Sequence, residues 1–171
     1  DNKAQLTGGR ETIRNLRLMG ITPHEFGKTA WFRNDLLSHH INDYLNLLAK
    51  APTAVFLSSS IRDDFKLREG DSVYIRLSQG DSLEFTIYGF IDYFPSCNPY
   101  TGDKEETAKK SYFAVVNHTY IMKKLPPLPY EIWIKKQPEV SDGDINSQLE
   151  ALSLTVERVD YASQDLIKRK N

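Results

Sequence analysis

The sequence has little cysteine and no long hydrophobic run. Its one cysteine, Cys97, excludes an internal disulfide and any metal site built from several cysteines, and we interpret it as a small buried apolar residue. With 171 residues and a hydrophobic content of 40%, the chain can bury a core of ordinary size without a disulfide or a metal. No stretch approaches the roughly 18 apolar residues of a membrane span, and no basic-then-apolar leader opens the chain. We therefore expect a soluble, folded piece.

The sequence also lacks an excess of charge of either sign. Its 22 lysines and arginines nearly balance 23 aspartates and glutamates. This balance gives no electrostatic reason to expect a basic groove, and we predict that the protein does not bind nucleic acid. The chain begins at Asp1 and ends on a basic run at residues 168–170. We interpret these ends as those of a fragment from a longer protein.

The clearest pattern is a β-hairpin at about residues 72–92. Apolar residues recur at every second position on both sides of Gly80-Asp81, as in two antiparallel strands with one buried face. Gly70-Asp71 has turn chemistry and marks the start of the first strand. Gly89 interrupts the second strand, and a glycine there is typical of a bulge, a bend or a close approach of another backbone. We expect the sheet to be built around this hairpin.

Weaker patterns predict several short helices and further strands around the hairpin. The predicted strands cover residues 16–21, 53–57, 112–116, 130–134 and 154–156. The predicted helices cover residues 22–32, 37–51, 58–65, 117–121, 141–152 and 163–167. Residues 1–11 are interpreted as an irregular leading segment, and residues 125–129 as a stiff connector. Because strands and helices are mixed without strict alternation, the predicted class is α+β, as one domain or two small lobes.

Three patterns are similar to chemical sites but lack required parts. Residues 27–29, Gly-Lys-Thr, are similar to the end of a phosphate-binding loop, yet six residues instead of four separate Gly27 from Gly20. A metal corner could be drawn from His39, His40 and Asp43, but no further ligand can be named. Ser58 lies between a strand and a helix without the flanking glycines of a nucleophile elbow, so helix capping is the better interpretation. We predict no catalytic, cofactor-binding or metal-binding residue.

The order of motifs around the hairpin resembles one family. A strand at residues 54–57 is followed by Ser58, then by Leu67-x-x-Gly70-Asp71-x-Val73, and then by Phe-Thr-Ile-x-Gly-Phe-Ile-Asp at residues 85–92. The segment Ile21-Thr22-Pro23-x-Glu25-Phe26 precedes them. In this order the motifs resemble the extracytoplasmic domain of FtsX/MacB-like permeases of ABC transporters. The resemblance covers about residues 16–95, and the remainder matches in element order alone.

The resemblance implies a non-catalytic domain of the MacB-like periplasmic core type that comprises residues 1–171. Such a domain lies on the extracytoplasmic side of the cell membrane, with membrane spans before Asp1 and after Asn171. A cytoplasmic ATPase is then a partner through the full-length permease, which couples ATP-driven motion to export or to an extracellular partner. A second permease subunit, an extracellular partner or a cargo is a further expected partner. No cofactor is implied.

The segment from 94 to 110 is a long loop rich in turn formers and charges, and long loops commonly carry function. We expect the partner surface to combine this loop with the hairpin tip at residues 79–81. The candidate partner-binding residues are Tyr93, Phe94, Asn98, Tyr100 and Asp103.

Two other functions stay open. The first is a free-standing secreted or surface binding module, because exposed aromatic rings are good anchors for a partner. Its anchors would be Tyr88, Phe90, Tyr93, Phe94 and Tyr100. The second is a hydrolase in which Ser58 is the nucleophile and a histidine is its base. The histidines available for it are His24, His39, His40 and His118.

Overall fold

The computed structural model describes residues 3–77, 82–101, 109–125, 130–152, 156 and 158–161. Its strands are β1 (Lys3–Gly8), β2 (Glu11–Ile21), β3 (Ala54–Ser58), β4 (Ser72–Arg76), β5 (Ser82–Ile91), β6 (Tyr100–Thr101), β7 (Lys109–Lys110) and β8 (Phe113–Asn117). Its helices are α1 (Pro23–Thr29), α2 (Ile41–Lys50), α3 (Ser59–Phe65), α4 (His118–Lys124) and α5 (Asp142–Ala151). A 3-10 turn at Asn34–Leu36 precedes α2. The predicted α+β class is confirmed.

Six strands form a closed barrel in the order β1-β2-β8-β3-β5-β4. The sheet is mixed, because β2 runs parallel to β8 and β3 parallel to β5, whereas the other neighbours are antiparallel. The barrel closes where β1 pairs with β4, and Leu6 there lies opposite both Ile75 of β4 and Ile13 of β2. Inward-pointing side chains from all six strands form one buried cluster, since alternate residues of a strand point to opposite faces.

A second buried cluster lies on the outside of the barrel, beneath α1 and α2. Strands β3 and β8 are buried on both faces: Val55 and Leu57 belong to the inner cluster, whereas Ala54 and Phe56 belong to the outer one. Tyr44, Leu45 and Leu48 of α2 supply the helical side of the outer cluster. The apolar stripe of α2 therefore covers the sheet, as the helical spacing of these residues predicts.

The central hairpin is confirmed as the antiparallel pair of β4 and β5. Gly70 has a φ of +89°, a left-handed conformation that favours glycine, and its amide donates to the Ile87 carbonyl. Along β3, Val55 lies opposite Ile87 but Phe56 lies opposite Gly89, so one extra residue is accommodated in β5. Of the bulge, the bend and the close backbone approach that Gly89 predicted as alternatives, the register shift corresponds to the bulge. The predicted turn at residues 79–81 lies outside the described residues.

Capping hydrogen bonds mark the first residues of several predicted helices. The Asn117 side-chain oxygen accepts hydrogen bonds from the amides of Thr119 and Tyr120, and its amide nitrogen donates to the Leu48 carbonyl at 2.9 Å. Asn117 therefore caps α4, as predicted, and also ties α4 to α2. At the start of α5, Ser141 and Asp144 form a reciprocal capping box.

Some predictions of local structure are wrong. The leading segment contains β1, in which Ala4 and Leu6 point inward; two buried positions are too short a pattern to identify a strand. The Thr22 side chain makes no capping hydrogen bond, although Pro23 does occupy the first position of α1, and that helix ends at Thr29. Residues 130–134 form no strand.

The failure at residues 130–134 has a physical cause. Their two-residue period is that of a strand, but a closed barrel offers no free edge to which another strand could pair. Tyr130 and Ile132 are instead 67% and 66% exposed. The connector at 126–129 and the helix predicted from Ser163 lie outside the described residues, as does most of the strand predicted at 154–156, where Val156 has no regular structure.

The chain divides into two compact units, residues 1–134 and 135–171. The first contains the barrel with α1–α4, and the second contains α5. Within the described residues, no helix is long and apolar enough to cross a membrane.

Replacing Gly89 by valine tests the bulge. A Cβ atom at Gly89 would lie 3.4 Å from two ring atoms of Phe56, so the further methyl groups of valine would overlap this buried ring. We expect Gly89→Val to lower the free energy of unfolding by about 1–3 kcal/mol. Gly89→Ala is the matched control and should lower it by less than about 1 kcal/mol, because its Cβ fits at contact distance. Urea denaturation measures both, and equal effects would contradict the packing described.

Candidate partner-binding cleft

A cleft of about 350 Å³ lies between α3 and the segment that carries β6 and β7. It is lined by Ser59, Ser60, Asp63, Asp92, Tyr93, Pro99, Tyr100 and Lys110. Its volume is at the lower end of the range for sites that bind small molecules, which is enough space for one large side chain.

Buried anchors position the wall that follows β5. Phe94 and Cys97 exchange two backbone hydrogen bonds of 3.0 and 2.7 Å and close a tight turn in which Ser96 has a φ of +63°. The Phe94 ring stacks on Phe26 of α1 with 5.4 Å between ring centroids. Because Phe94 and Cys97 point into the core, the neighbouring Tyr93 is left on the outside, facing the cleft.

Pairing with the return strand positions the rest of this wall. The Ser111 amide donates to the Pro99 carbonyl at 2.8 Å, and Tyr100 lies opposite Lys110 in the two-stranded sheet of β6 and β7. The segment expected to be a long loop therefore contains regular structure at both ends. Tyr100 itself remains 57% exposed.

Ser60 in the lining of the cleft is hydrogen-bonded to the buried Ser58. The Ser60 hydroxyl lies 3.0 Å from Ser58 Oγ and 3.3 Å from the Ser111 carbonyl oxygen, and the Phe113 amide donates to Ser58 Oγ at 3.3 Å. Ser58 is completely buried and makes no side-chain cap for α3, so the capping role predicted for it is wrong. It links α3 to β8 instead, through its contacts with Ser60 and the Phe113 amide.

The same hydrogen bonds bear on the hydrolase alternative. All four histidines are described, and none of them is hydrogen-bonded to Ser58, whose partners are Ser60 and Phe113. Ser58 therefore lacks the adjacent base that would activate a serine nucleophile.

An ion pair beside the cleft joins α3 to β7. Lys110 Nζ lies 2.6 Å from Asp64 Oδ1, and the Tyr112 hydroxyl donates to Asp64 Oδ2 at 2.9 Å. The hydrogen bonds from Lys110 and then Tyr112 hold the pKa of Asp64 below its usual value, and Asp64 in turn raises the pKa of Lys110. Partial burial, followed by the hydrogen bond to Asp64, raises the pKa of Tyr112. The positive charge of Lys110 is therefore compensated by the carboxylate of Asp64 beside the cleft.

The two other charged residues of the lining differ in their partners. Asp63 accepts a hydrogen bond from Arg62 at 3.0 Å, and the guanidinium of Arg62 also lies over the Phe90 ring at 5.7 Å. Asp92 follows β5 directly and is exposed, and it makes no hydrogen bond or ion pair with any residue that the structure describes. Within the described part of the chain, Asp92 is therefore the carboxylate of the lining that has no partner.

The structure separates the candidate partner-binding residues. Tyr93 and Tyr100 line the cleft, and Asn98 is exposed beside it. Phe94 is only 2% exposed, so selecting it as a contact residue was wrong: its ring belongs to the outer core cluster. Asp103 lies outside the described residues.

Sequence reasoning missed Asp63, Asp92 and Lys110. Asp63 and Asp92 are 29 positions apart in the numbering, and no local pattern places them together. A weak signal did exist for Asp92, since it closes the motif at residues 85–92 immediately before Tyr93.

The remaining chemical candidates have structural roles. His40 Nδ1 accepts a hydrogen bond from the Asn42 amide at 3.2 Å and so caps α2. In the described part of the chain, no three histidine, cysteine, aspartate or glutamate side chains come together as a metal site. Among the aromatic anchors of the binding-module alternative, Tyr88 is exposed, whereas Phe90 is partly buried against the core.

No family model matches the chain, and no curated protein matches it.

Removing the charge of Lys110 should raise the pKa of Asp64. Lys110→Met deletes the largest cause of the depression, and Tyr112→Phe deletes the second and should have a smaller effect. A depressed carboxyl pKa stabilises the native state at any pH above the ordinary pKa of 3.8. This stabilisation is lost as the pH falls through the pKa of the native state. The stability difference between wild type and Lys110→Met should therefore shrink at acid pH. NMR titration of the carboxyl and unfolding at neutral and acid pH measure both effects.

Lys50→Met is the control, because it removes a lysine charge on α2 that makes no ion pair among the described residues. An unchanged Asp64 pKa in Lys110→Met would contradict the ion pair.

The thiol of Cys97 should be unreactive in the native protein. Its side chain is 1% exposed, and burial raises its pKa, so little thiolate forms at neutral pH. We expect maleimide to label Cys97 in urea but not under native conditions, as measured by mass spectrometry. Rapid native labelling would show that the turn at residues 94–97 is not packed as described.

Proposed function

We propose that this chain is a non-catalytic extracytoplasmic domain of an FtsX/MacB-like permease of an ABC transporter. The observation that carries the proposal is the order of motifs: a strand with a terminal serine, a Gly-Asp turn before a hairpin, and a glycine within its second strand. In the cell it would lie on the outer side of the membrane and convey ATP-driven motion to a partner or cargo.

Contacts between the motifs support their interpretation as one unit. The strand that ends at Ser58 is β3, and it pairs in parallel with β5 of the hairpin. The ring of Phe56 from the first motif packs over Gly89 of the last. Gly70 is bonded to β5 through its amide. Residues that define the resemblance therefore contact one another, as expected if they specify a common fold.

The closed barrel also suits a domain that transmits motion. Movement applied at one end of a domain reaches a partner only if the scaffold between them does not deform. Here the interior is filled by apolar side chains and every barrel strand has two neighbours. The cleft with Tyr93 and Tyr100 at its wall lies on this scaffold, and we assign to it the contact with an extracytoplasmic partner.

The proposed assembly needs partners beyond this domain. The full-length permease would hold membrane spans on both sides of residues 1–171 and would engage a cytoplasmic ATPase. It would act with a second permease subunit, an extracellular partner or a cargo. The domain itself would need no cofactor.

Reading the coding sequence on both sides of this chain tests the proposal. We expect a span of about 20 apolar residues on each side and an ATPase encoded beside the gene. A stop codon, a signal peptide or soluble flanks would overturn the permease assignment. The exposed Tyr88, Tyr93 and Tyr100 would then favour a free-standing binding module.

A further inference from the structure

The position of Asp92 points to the charge of a ligand. This carboxylate lines the cleft without a partner among the described residues, whereas Asp63 is paired with Arg62 and Lys110 with Asp64. Among the described residues, these five groups leave one negative charge. A positively charged group is the ligand that complements it.

Two tyrosines line the same cleft as Asp92. Tyr93 and Tyr100 are 37% and 57% exposed, and neither hydroxyl forms a hydrogen bond within the described part of the chain. Aromatic rings attract cations through their electron-rich faces, and a planar guanidinium can also stack on them. Carboxylate and rings together favour an arginine side chain over a compact, strongly hydrated ammonium.

The size and surroundings of the cleft limit the ligand further. A volume of about 350 Å³ admits one long side chain and excludes a folded domain. Ser59 adds a hydroxyl to the lining, and the Pro99 carbonyl is already bonded to the Ser111 amide. A single basic side chain therefore fits the cleft.

We propose that this cleft binds an arginine side chain of an extracytoplasmic polypeptide, with Asp92 as its counter-charge and Tyr93 and Tyr100 as its aromatic walls. This inference rests on the proposed function, which supplies a partner on the outer side of the membrane. It adds the chemical class that the partner must present.

Titration of the 171-residue chain with two matched peptides tests the inference. The probes are acetyl-Gly-Arg-Gly-amide and the same peptide with citrulline, which has nearly the shape of arginine but no charge. We expect the arginine peptide to cause saturable amide NMR shifts at residues 59–63, 92–93, 100 and 110. Binding should weaken with added salt, and the citrulline peptide should bind about fivefold more weakly or worse, as expected for loss of one exposed charge pair.

Variants assign the binding to named side chains. Asp92→Asn should weaken the arginine peptide about fivefold without affecting the citrulline peptide, and Tyr100→Ala should weaken both. Glu11→Gln is the matched control: it removes an exposed carboxylate on β2, outside the cleft, and should change nothing. Equal binding of the two peptides, the absence of saturable shifts, or an unaffected Asp92→Asn would overturn the inference.

The two proposals fail separately. If membrane spans flank the chain but the arginine peptide does not bind, the permease assignment stands and the arginine-binding inference is wrong. Arginine binding with soluble flanks would keep the ligand site and transfer it to a free-standing binding module.

Discussion

The pairing of β1 with β4 is the constraint on which the rest of this fold depends. It closes six strands into a barrel, so that Leu6 lies between Ile13 and Ile75 and the interior is sealed from water. Closure leaves no barrel strand with an unpaired edge. Strands β3 and β8 are buried on both faces because the outer cluster beneath α1 and α2 covers their outward side. The helices α1 and α2 then have one face of the barrel to cover.

Two connections determine the position of the cleft on the barrel: one follows β3 and the other follows β5. At the end of β3, the hydroxyl oxygen of Ser58 accepts a hydrogen bond from the Phe113 amide. This bond fixes the start of α3 against β8. At the end of β5, Phe94 and Cys97 return to the outer core and hold Tyr93 and Asp92 outside it. Because β3 and β5 are parallel neighbours, their carboxyl ends lie side by side. The cleft forms where the two connections diverge.

Short sequence patterns predict those parts of the fold that depend on neighbouring residues in the chain. The hairpin, the bulge at Gly89 and the Asn117 cap follow from alternation, a missing side chain and a preferred capping residue. Sequence could not identify β1, whose strand state depends on two distant partners, nor reject a strand at residues 130–134, whose period is right but whose pairing edge does not exist. The sequence predicts Tyr93 and Tyr100 for the candidate site, but it also predicts Phe94, because composition does not reveal which rings of a loop are buried in the core.

The charges of the cleft show why its ligand preference depends on pairs that lie far apart in the sequence. Lys110 and Asp64 are separated by 46 positions, and the hydrogen bonds of Ser111, Tyr112 and Phe113 hold β7 close to α3. Without that ion pair, the opposite charges of Lys110 and Asp92, which both line the cleft, would offset each other. Since Asp64 pairs with Lys110, Asp92 is the charged lining residue that the described part of the chain leaves without a partner, and two tyrosines line the cleft with it. The ion pair of Lys110 and Asp64, which joins β7 to α3, thereby also influences the sign of the charge that the cleft can accept.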